Sequence, residues 1–599
     1  MPPGFFDNPR LLAPPATRKT DLGGGAFLLQ SPEALAPYAR CVGEWLEQWA
    51  RDTPDALAVA EPDANGWTRL GWGALRRQVG AVAQGLLDLA LPRGKPIVIL
   101  SDNALDHLML MLAAMHIGRA VCSVSSGYCR LAQGDFSRVH GILRALDPAL
   151  VYASDAATYG PALAGAGIEA VLVFSQGAGT HRAALDFAHL RAANETSAVM
   201  RAFAAITPDT HAKYLLTSGS TGQPKVVINN QRMLCANQQM LAQTLRFLGT
   251  EKPVLLDWLP WSHTFGGNHN INLVLRHGGT LYIDDGRPLP GAIDKTIAHL
   301  RDVQPTVYFN VPRGYEMMLP ALEADLDLAR RFFERLRMVF YAGAGMPLST
   351  WRRLEAVAAQ VRDEPVWFTT SWGATETAPA ITFPSWRLDR PGVIGLPMPG
   401  VSLKFIPNAG KLEMRVKGDN VFPGYRNNDA ATREAFDEEG YYRIGDAGHL
   451  LDEDHPLRGV VFNGRVAEDF KLGSGTWVSV GTLRVRVVSA LAPHAQDVVI
   501  TGHERGEVGA LVFLTETARR LPAGQVDAHV RDALRVLRAE GGGSSQALGR
   551  ALLLPDGPSA AAGEITDKGY VNQRLVLARR AAEVDRLYAE PCDARVIQA

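Results

Sequence analysis

The chain reads as an α/β protein: a large N-terminal α/β domain of several sheets over residues 1–464, then a small C-terminal α+β domain over residues 465–599. Three observations predict this. A length of 599 residues exceeds what one hydrophobic core organises, so at least two domains are expected. Short apolar runs of strand type alternate with helix-period segments through the first two-thirds of the chain, the pattern of an α/β protein with largely parallel sheet. Near Gly464 the composition changes and the elements become smaller in scale, which leaves a C-terminal unit of about 130 residues, a typical domain size.

The elements follow in order. Residues 1–30 are rich in Pro and Gly and are expected to drape over the surface. A helix is predicted over 38–50, with Val42, Trp45, Leu46 and Trp49 at helical spacing. Strands are predicted at 96–100, 120–124, 150–154 and 170–174, with a helix over 106–117 between the first two. The run 214–216 ends a strand, 226–228 begins another, and 233–248 is helical. A strand precedes residues 258–267, and the runs 306–312, 338–342 and 366–369 are strands that end in turns. Ligands of α/β sheets collect at strand C-termini, so these ends are candidate sites. Beyond Gly464 the sequence predicts one strand pair, a helix over 525–540, a Gly/Ser break at 541–545 and a last helix over 574–588, with Leu577, Ala581, Val584 and Tyr588 on one face.

Composition excludes several classes. Lys+Arg total 61 against 62 for Asp+Glu, a net charge of −1, which offers no electrostatic footprint for nucleic acid or an anionic membrane. The five cysteines are scattered and odd in number, against a disulfide framework or a cysteine metal site. The most apolar run, 108–115, is too short to span a bilayer, and no secretory signal is visible, so a soluble cytoplasmic protein is expected. Monomer and homodimer both remain open.

Residues 215–225 read Leu-Leu-Thr-Ser-Gly-Ser-Thr-Gly-Gln-Pro-Lys. Thr217, Ser218, Gly219, Ser220, Thr221 and Gly222 are small, so backbone N–H groups can approach an anion closely. The hydroxyls add donors, and Lys225 adds a point charge. A polyphosphate is the ligand this suggests. Pro224 stands where the Walker loop needs Gly, and a strand rather than a helix follows, so the loop joins two strands. A plain Ser/Gly surface loop is the alternative.

Other candidates stand further on. Gly343-Ala344-Gly345 follows a strand and suits close approach of a flat ring, although Pro347 and Leu348 break a dinucleotide fingerprint. A strand-end turn is the plainer reading. Ser371-Trp372-Gly373-Ala374-Thr375-Glu376 also follows a strand, and Glu376 is a hard oxygen ligand suited to Mg²⁺. Asp446, after Gly445, offers two acceptors for a pair of hydroxyls, or serves only a turn. His263, His269 and His277 lack the Asp/Glu/Cys pattern of a metal site.

At 215–225 the sequence resembles the phosphate-binding signature of the adenylate-forming superfamily, which includes acyl- and aryl-CoA ligases, luciferases and peptide-synthetase adenylation domains. Residues 229–238 and 257–270 most resemble feruloyl-CoA synthetases. The segment 371–376 resembles the family's aromatic-Gly-x-Thr-Glu motif, with Trp372 where Tyr is usual. Tyr442-Arg443-Ile444-Gly445-Asp446 resembles Tyr-Arg-Thr-Gly-Asp, with Ile444 in place of Thr. Residues 464–471 resemble the hinge, with Ala467 where Asp or Lys is usual, and Val480-Gly481-Thr482 replaces Pro-x-Glu. Residues 563–569 resemble the loop that carries the catalytic lysine, here Lys568.

The resemblance implies roles for these residues. Ser218, Thr221, Lys225 and their neighbours hold the phosphates of ATP, Glu376 holds Mg²⁺, and Thr217, Glu376, His263 and Lys568 belong to the catalytic set. Gly343, Ala344, Gly345, Ser371, Trp372, Gly373, Thr375, Asp446, Arg465 and Lys471 surround the nucleotide, with Asp446 and Arg465 at the ribose. His263, Phe265, Gly267, Tyr308, Gly343 and Trp372 line the acid pocket. It further implies ATP-dependent activation of a carboxylic acid as its adenylate, transfer to coenzyme A, and a C-terminal domain that swivels near Ala467 or Glu468 between the steps. A hydroxycinnamate, ferulate first, is the expected acid. Alternatives are benzoate, a fatty acid, delivery to a carrier protein, or a nucleotide-binding module without catalysis.

Overall fold

β-branched and aromatic runs form strands where the sequence places them. The computed structural model describes residues 5–599 apart from 131–133, 181–183, 218–223, 409, 541–542, 544, 560–561, 566–570 and the side chain of Ala523. One seven-stranded sheet runs in the order Lys225–Asn230, His211–Thr217, Val121–Val124, Ile97–Leu100, Leu150–Asp155, Val171–Gln176, Leu185–Asp186. It is parallel except for its first pair. The central strands Ile97–Leu100 and Val121–Val124 are buried throughout, as expected where helices cover both faces. The helix Leu105–His116 lies between them in sequence, and the expected helix at 233–248 is Gln231–Thr244, its first turn capped by the Asn230 side chain on the Met233 N–H at 3.0 Å.

A second parallel sheet joins Val307–Asn310, Met338–Tyr341 and Trp367–Thr370. A third sheet joins Val254–Asp257, Thr280–Ile283, Leu57–Asp63 and Gly66–Gly71. The largest sheet departs from the expected parallel pattern. Nine strands, from Arg18–Gly23 at one edge to Trp372–Gly373 at the other, pair antiparallel throughout. Most of its pairings join strands that are neighbours in sequence, but two cross wide gaps, Ala26–Gln30 on Ser402–Asn408 and Val393–Pro397 on Val460–Arg465, and no local signal announces those two.

The N-terminal segment is a correction. From Phe5 to Gln30 the chain lies largely at the surface but is not irregular: Phe5 and Leu12 are buried anchors, and exposed Arg18–Gly23 forms a hairpin with Ala26–Gln30. Phe27 and Leu29 alternate inward, and Phe27 stacks on Phe405 at 4.4 Å.

From Phe470 onward the buried apolar residues gather into two cores of their own. In place of one strand pair, this part holds the short hairpin Phe470–Lys471 with Trp477–Val478 and a four-stranded sheet of Ala495–Thr501, Val508–Leu514, Leu548–Leu554 and Val596–Gln598. The last helix is two, Gln573–Arg579 and Ala581–Leu587, interrupted where the Arg580 guanidinium turns to the Glu564 carboxylate at 2.9 Å. Val576 and Leu587 carry its buried face, and Ala581 is exposed. Among the described residues no helix is long and apolar enough to cross a membrane.

Candidate active site

Residues at strand ends of three sheets come together at one place. Thr217 and Lys225 are register partners at the open end of the antiparallel pair His211–Thr217 and Lys225–Asn230. Ser218, Gly219, Ser220, Thr221 and Gly222, expected to cradle phosphate, lie outside the described residues, as does Lys568. The Lys225 ammonium sits over the Tyr425 ring, 4.8 Å from its centroid, and the Tyr425 hydroxyl donates to Glu376 Oε1 at 3.0 Å. Backbone bonds hold this arrangement: Ile228 N–H to Gly424 O, Arg426 N–H to Val226 O, and Phe422 N–H to Glu376 O. A lysine, a tyrosine and a glutamate from distant segments thus share one corner.

Glu376 is buried, and desolvation raises its carboxyl above the usual carboxylate range, against the Tyr425 hydrogen bond and the Arg465 and Lys225 charges that lower it. With one hydroxyl partner and a strained ionisation, this carboxylate suits a hard divalent cation. Gly373 is required beside it: a Cβ there would lie 1.8 Å from the Pro379 carbonyl oxygen. The Ser371 hydroxyl is occupied by the Thr382 carbonyl at 2.8 Å, and Thr375 offers its own carbonyl to Asn229 at 3.5 Å.

Nearby, the Trp372 indole N–H donates to Asp446 Oδ2 at 2.8 Å, while Arg465 Nε approaches Asp446 Oδ1 at 3.4 Å. Asp446 and Arg465 are register partners on adjacent strands. Asp446 is buried, and burial raises its carboxyl despite Arg465 and Trp372. Gly343 has φ +88°, which a side chain rarely adopts, and Gly343, Ala344 and Gly345 are exposed at the end of Met338–Tyr341. A Cβ on Gly345 would meet Val485 of the C-terminal region at 2.7 Å.

The expected acid-pocket residues divide. Residues 265–270 form a π-helical turn, an element common at functional sites, entered through half-buried His263, whose carbonyl accepts the Gly267 N–H at 2.7 Å. A Cβ at Gly267 would meet the Trp261 carbonyl at 2.3 Å. Phe265 packs its ring with Phe309, Phe340 and His269. Tyr308 is a correction. It lies on the opposite face of its strand from Phe309, fully buried among Tyr315, Phe332 and Met318, its hydroxyl on Met318 Sδ at 3.3 Å. Side chains alternate along a strand, so Phe309 joins the rings of Phe265, His269 and Phe340 and Tyr308 cannot. Lys471 is likewise not drawn to this place: it is exposed, with its ammonium 5.1 Å from the Trp477 ring centroid. His263, His269 and His277 form no metal cluster. Among the described residues only Asp284, Asp285 and His299 group closely enough, and there Asp284 is already satisfied by Gly286 N–H, Thr296 and His299.

Sequence reasoning missed Tyr425, Asn229 and Lys213. Asn268 Nδ2 donates to Asn229 Oδ1 at 2.6 Å, tying the π-helical turn to the phosphate hairpin. Lys213 lies in the same hairpin, buried, and its ammonium donates to the Gly267 carbonyl. A lysine inside the apolar strand run from Ala212 to Leu216 is the signal that could have marked it. Desolvation lowers its pKa from 10.5 to about 7, and it has no carboxylate partner among the described residues. In the native state Lys213 thus releases its proton at lower pH than in the unfolded chain, so wild-type stability rises with pH between about 7 and 10.5. We expect the stability of Lys213→Met relative to wild type to fall through that window by about 1.4 kcal/mol per pH unit. Urea unfolding at pH 7.5 and 9.5 checks this, and a difference independent of pH would exclude a buried, titrating amine.

The geometry agrees with comparison to known proteins. A family model described as AMP-binding enzyme matches residues 46–426, and one described as AMP-binding enzyme C-terminal domain matches residues 478–591. The chain belongs to the AMP-binding enzyme family. It is similar to a malonate–CoA ligase of Arabidopsis thaliana, 25% identical over 340 residues, or 52% of each chain, so this match spans about half the relative's length. It is also similar to the long-chain-fatty-acid–CoA ligase FadD15 of Mycobacterium bovis, 23% identical over 90% of this chain and 95% of that one. Among solved structures, ATP-bound MatB from Rhodopseudomonas palustris superposes with a TM-score of 0.69 at 22% identity, covering 90% of this chain and 99% of that one. The family match accounts for the division into a large α/β part and a smaller C-terminal part.

Proposed function

We propose that this AMP-binding enzyme is an ATP-dependent acid–CoA ligase that activates a hydroxycinnamate, ferulate first, as its acyl-adenylate and then forms the CoA thioester. The observation that carries the ligase reading is the shared corner of Lys225, Tyr425 and Glu376, with Asp446 and Arg465 paired nearby and the rings of Phe265 and Phe340 packed on the π-helical turn tied to the same hairpin. The relatives' names support CoA ligation and differ on the acid, malonate in one and long-chain fatty acids in another. The aryl preference rests on residues 229–238 and 257–270, which resemble feruloyl-CoA synthetases, and on the rings of Phe265, Phe309 and Phe340 at the pocket.

In this reading the acid's carboxylate attacks the α-phosphorus of ATP, and pyrophosphate leaves. The thiol of coenzyme A then attacks the adenylate carbonyl, and AMP leaves. Thr217, Lys225 and the loop between them bind phosphate. Glu376 would hold Mg²⁺, which supplies positive charge to phosphate oxygens when bound. Asp446 accepts the two ribose hydroxyls, oriented by the Trp372 N–H and by Arg465. Lys568 stabilises the charge that develops in adenylation. The domain boundary falls at 464/465, and the pivot near Ala467 removes Lys568 before the thiol enters.

ATP–pyrophosphate exchange with ferulate, caffeate, 4-coumarate, cinnamate, benzoate, octanoate and malonate, followed by thioester formation with CoA, tests the assignment. We expect kcat/KM for ferulate to exceed that for octanoate and malonate at least tenfold. Higher efficiency with octanoate, benzoate or malonate would overturn the substrate and leave the adenylating chemistry standing. No exchange with any acid would overturn the ligase reading.

A further inference from the structure

Lys225 and Glu376 carry opposite charges in one corner, yet they do not pair. Glu376 feels the Lys225 charge through space, while its side-chain hydrogen bond among the described residues comes from Tyr425. Glu376 and Tyr425 are each 7% exposed. Attraction between a lysine and a glutamate strengthens as water is excluded, so two such side chains left free here would meet. The second cation that Glu376 feels, Arg465, is already engaged by Asp446 at 3.4 Å.

Tyr425 offers each charge a different surface. The face of a phenol ring is negative and attracts a cation, whereas its hydroxyl donates to a carboxylate. The Lys225 ammonium lies over the ring face, 4.8 Å from its centroid, and the hydroxyl meets Glu376 Oε1 at 3.0 Å. The ring is held from several sides. Tyr425 bridges antiparallel to Val227, two residues beyond Lys225 on the same strand. Its N–H donates to Thr432 Oγ1 at 2.9 Å, and its ring meets the edge of Phe422 with centroids 4.9 Å apart. The Phe422 N–H in turn donates to the Glu376 carbonyl at 2.8 Å. Tyr425 is thus tied both to the strand of Lys225 and to the segment of Glu376, and it cannot swing out from the corner.

We propose that Tyr425 is a positioning residue that keeps Lys225 and Glu376 apart, its ring face bearing the ammonium and its hydroxyl the carboxylate, so that one charge stays open to a phosphate oxygen and the other to the cation that accompanies it. This rests on the ligase reading above, which gives Lys225 and Glu376 those ligands, and it assigns a role to a residue that reading does not use. Without the ring, Lys225 and Glu376 neutralise each other, and ATP has to break that pair before it binds. The hydroxyl acts separately, by fixing the orientation of the carboxylate.

The test is calorimetric titration of ATP into the full-length chain, without metal and with Mg²⁺. Tyr425→Phe keeps the ring and loses the hydroxyl, so its metal-free affinity should stay within about twofold of wild type while the gain from Mg²⁺ falls about tenfold. Tyr425→Leu loses both, and its metal-free affinity should fall about tenfold. Adding Glu376→Gln to Tyr425→Leu should bring metal-free affinity back to within about threefold of wild type, because the amide no longer holds Lys225. Glu376→Gln alone should change it by no more than about twofold. A side chain that only filled space would show no such rescue. Unchanged metal-free affinity in Tyr425→Leu overturns the proposal, as does a loss that Glu376→Gln does not reverse, or an equal gain from Glu376→Gln with Tyr425 in place. Should Tyr425→Leu not fold, Tyr425→Phe decides: a reduced gain from Mg²⁺ supports the proposal, and an undiminished one overturns it. A wild-type chain that binds no ATP would instead show that the ligase reading itself had failed.

Discussion

Replacing Lys568 by Ala is expected to lower the rate of adenylate formation by about 10²- to 10³-fold, the usual effect of removing one preorganised group that stabilises transition-state charge. Formation of the CoA thioester from supplied acyl-adenylate should stay within about threefold of wild type. The asymmetry is the informative part. In the proposed cycle Lys568 serves only the first step, because the domain carrying it turns away before the thiol arrives. ATP–pyrophosphate exchange measures one half-reaction, and thioester yield from synthetic adenylate measures the other. Equal losses in both would mean that Lys568 supports the fold or binds CoA, and the division of labour between the domains would need another agent.

The parts of the site that sequence exposes are those whose chemistry is local. The phosphate hairpin shows itself because small hydroxylated residues interrupt two apolar strands, and the strands at 214–216 and 226–228 form and pair as those runs require. Glu376 stands out as an acidic residue closing a motif that follows a strand-type run, and Asp446 as an aspartate after Gly445. Tyr425 and Asn229 gave no such signal. Each is an ordinary residue in its own segment and matters only through contacts with segments far away, Tyr425 through Lys225 and Glu376, Asn229 through Asn268.

Tyr308 shows the converse error. An aromatic at a strand end was expected in the pocket, but the pleat decides which of two neighbours faces it, and one residue of register puts Tyr308 in the helical core and Phe309 at the site. The fold divides along the same line. Parallel strands buried on both faces are continuous apolar runs and were legible one at a time. The nine-stranded antiparallel sheet is assembled from local strand pairs through Phe27 with Phe405 and Val393 with Val461, pairings that no window of sequence contains.

Asp446→Asn separates binding from stability and carries the second large effect. The carboxylate is buried, tied to the Trp372 indole at 2.8 Å and approached by the Arg465 guanidinium at 3.4 Å. Two hydroxyls accepted by a charged group contribute about 1.5–3 kcal/mol each, so losing the charge should weaken ATP binding by about 10²- to 10³-fold. This appears as a higher KM for ATP, with the KM for CoA unchanged. Stability should move differently. Burial raises the Asp446 carboxyl above its ordinary value, so the native state holds its proton more tightly than the unfolded chain. From the ordinary carboxylate range up to the raised native pKa, wild-type stability therefore falls as pH rises. The amide carries no such penalty, although it gives up the attraction to Arg465. The variant's Tm relative to wild type should accordingly be higher at pH 7.5 than at pH 5. Thermal unfolding without nucleotide at the two pH values, with isothermal titration of ATP at the higher one, measures both halves. A relative Tm that instead rises as the pH is lowered would reverse the sign of the Asp446 shift and make Arg465, not burial, the dominant influence. Unchanged ATP affinity would remove Asp446 from the ribose site and leave it as the anchor of Trp372 alone.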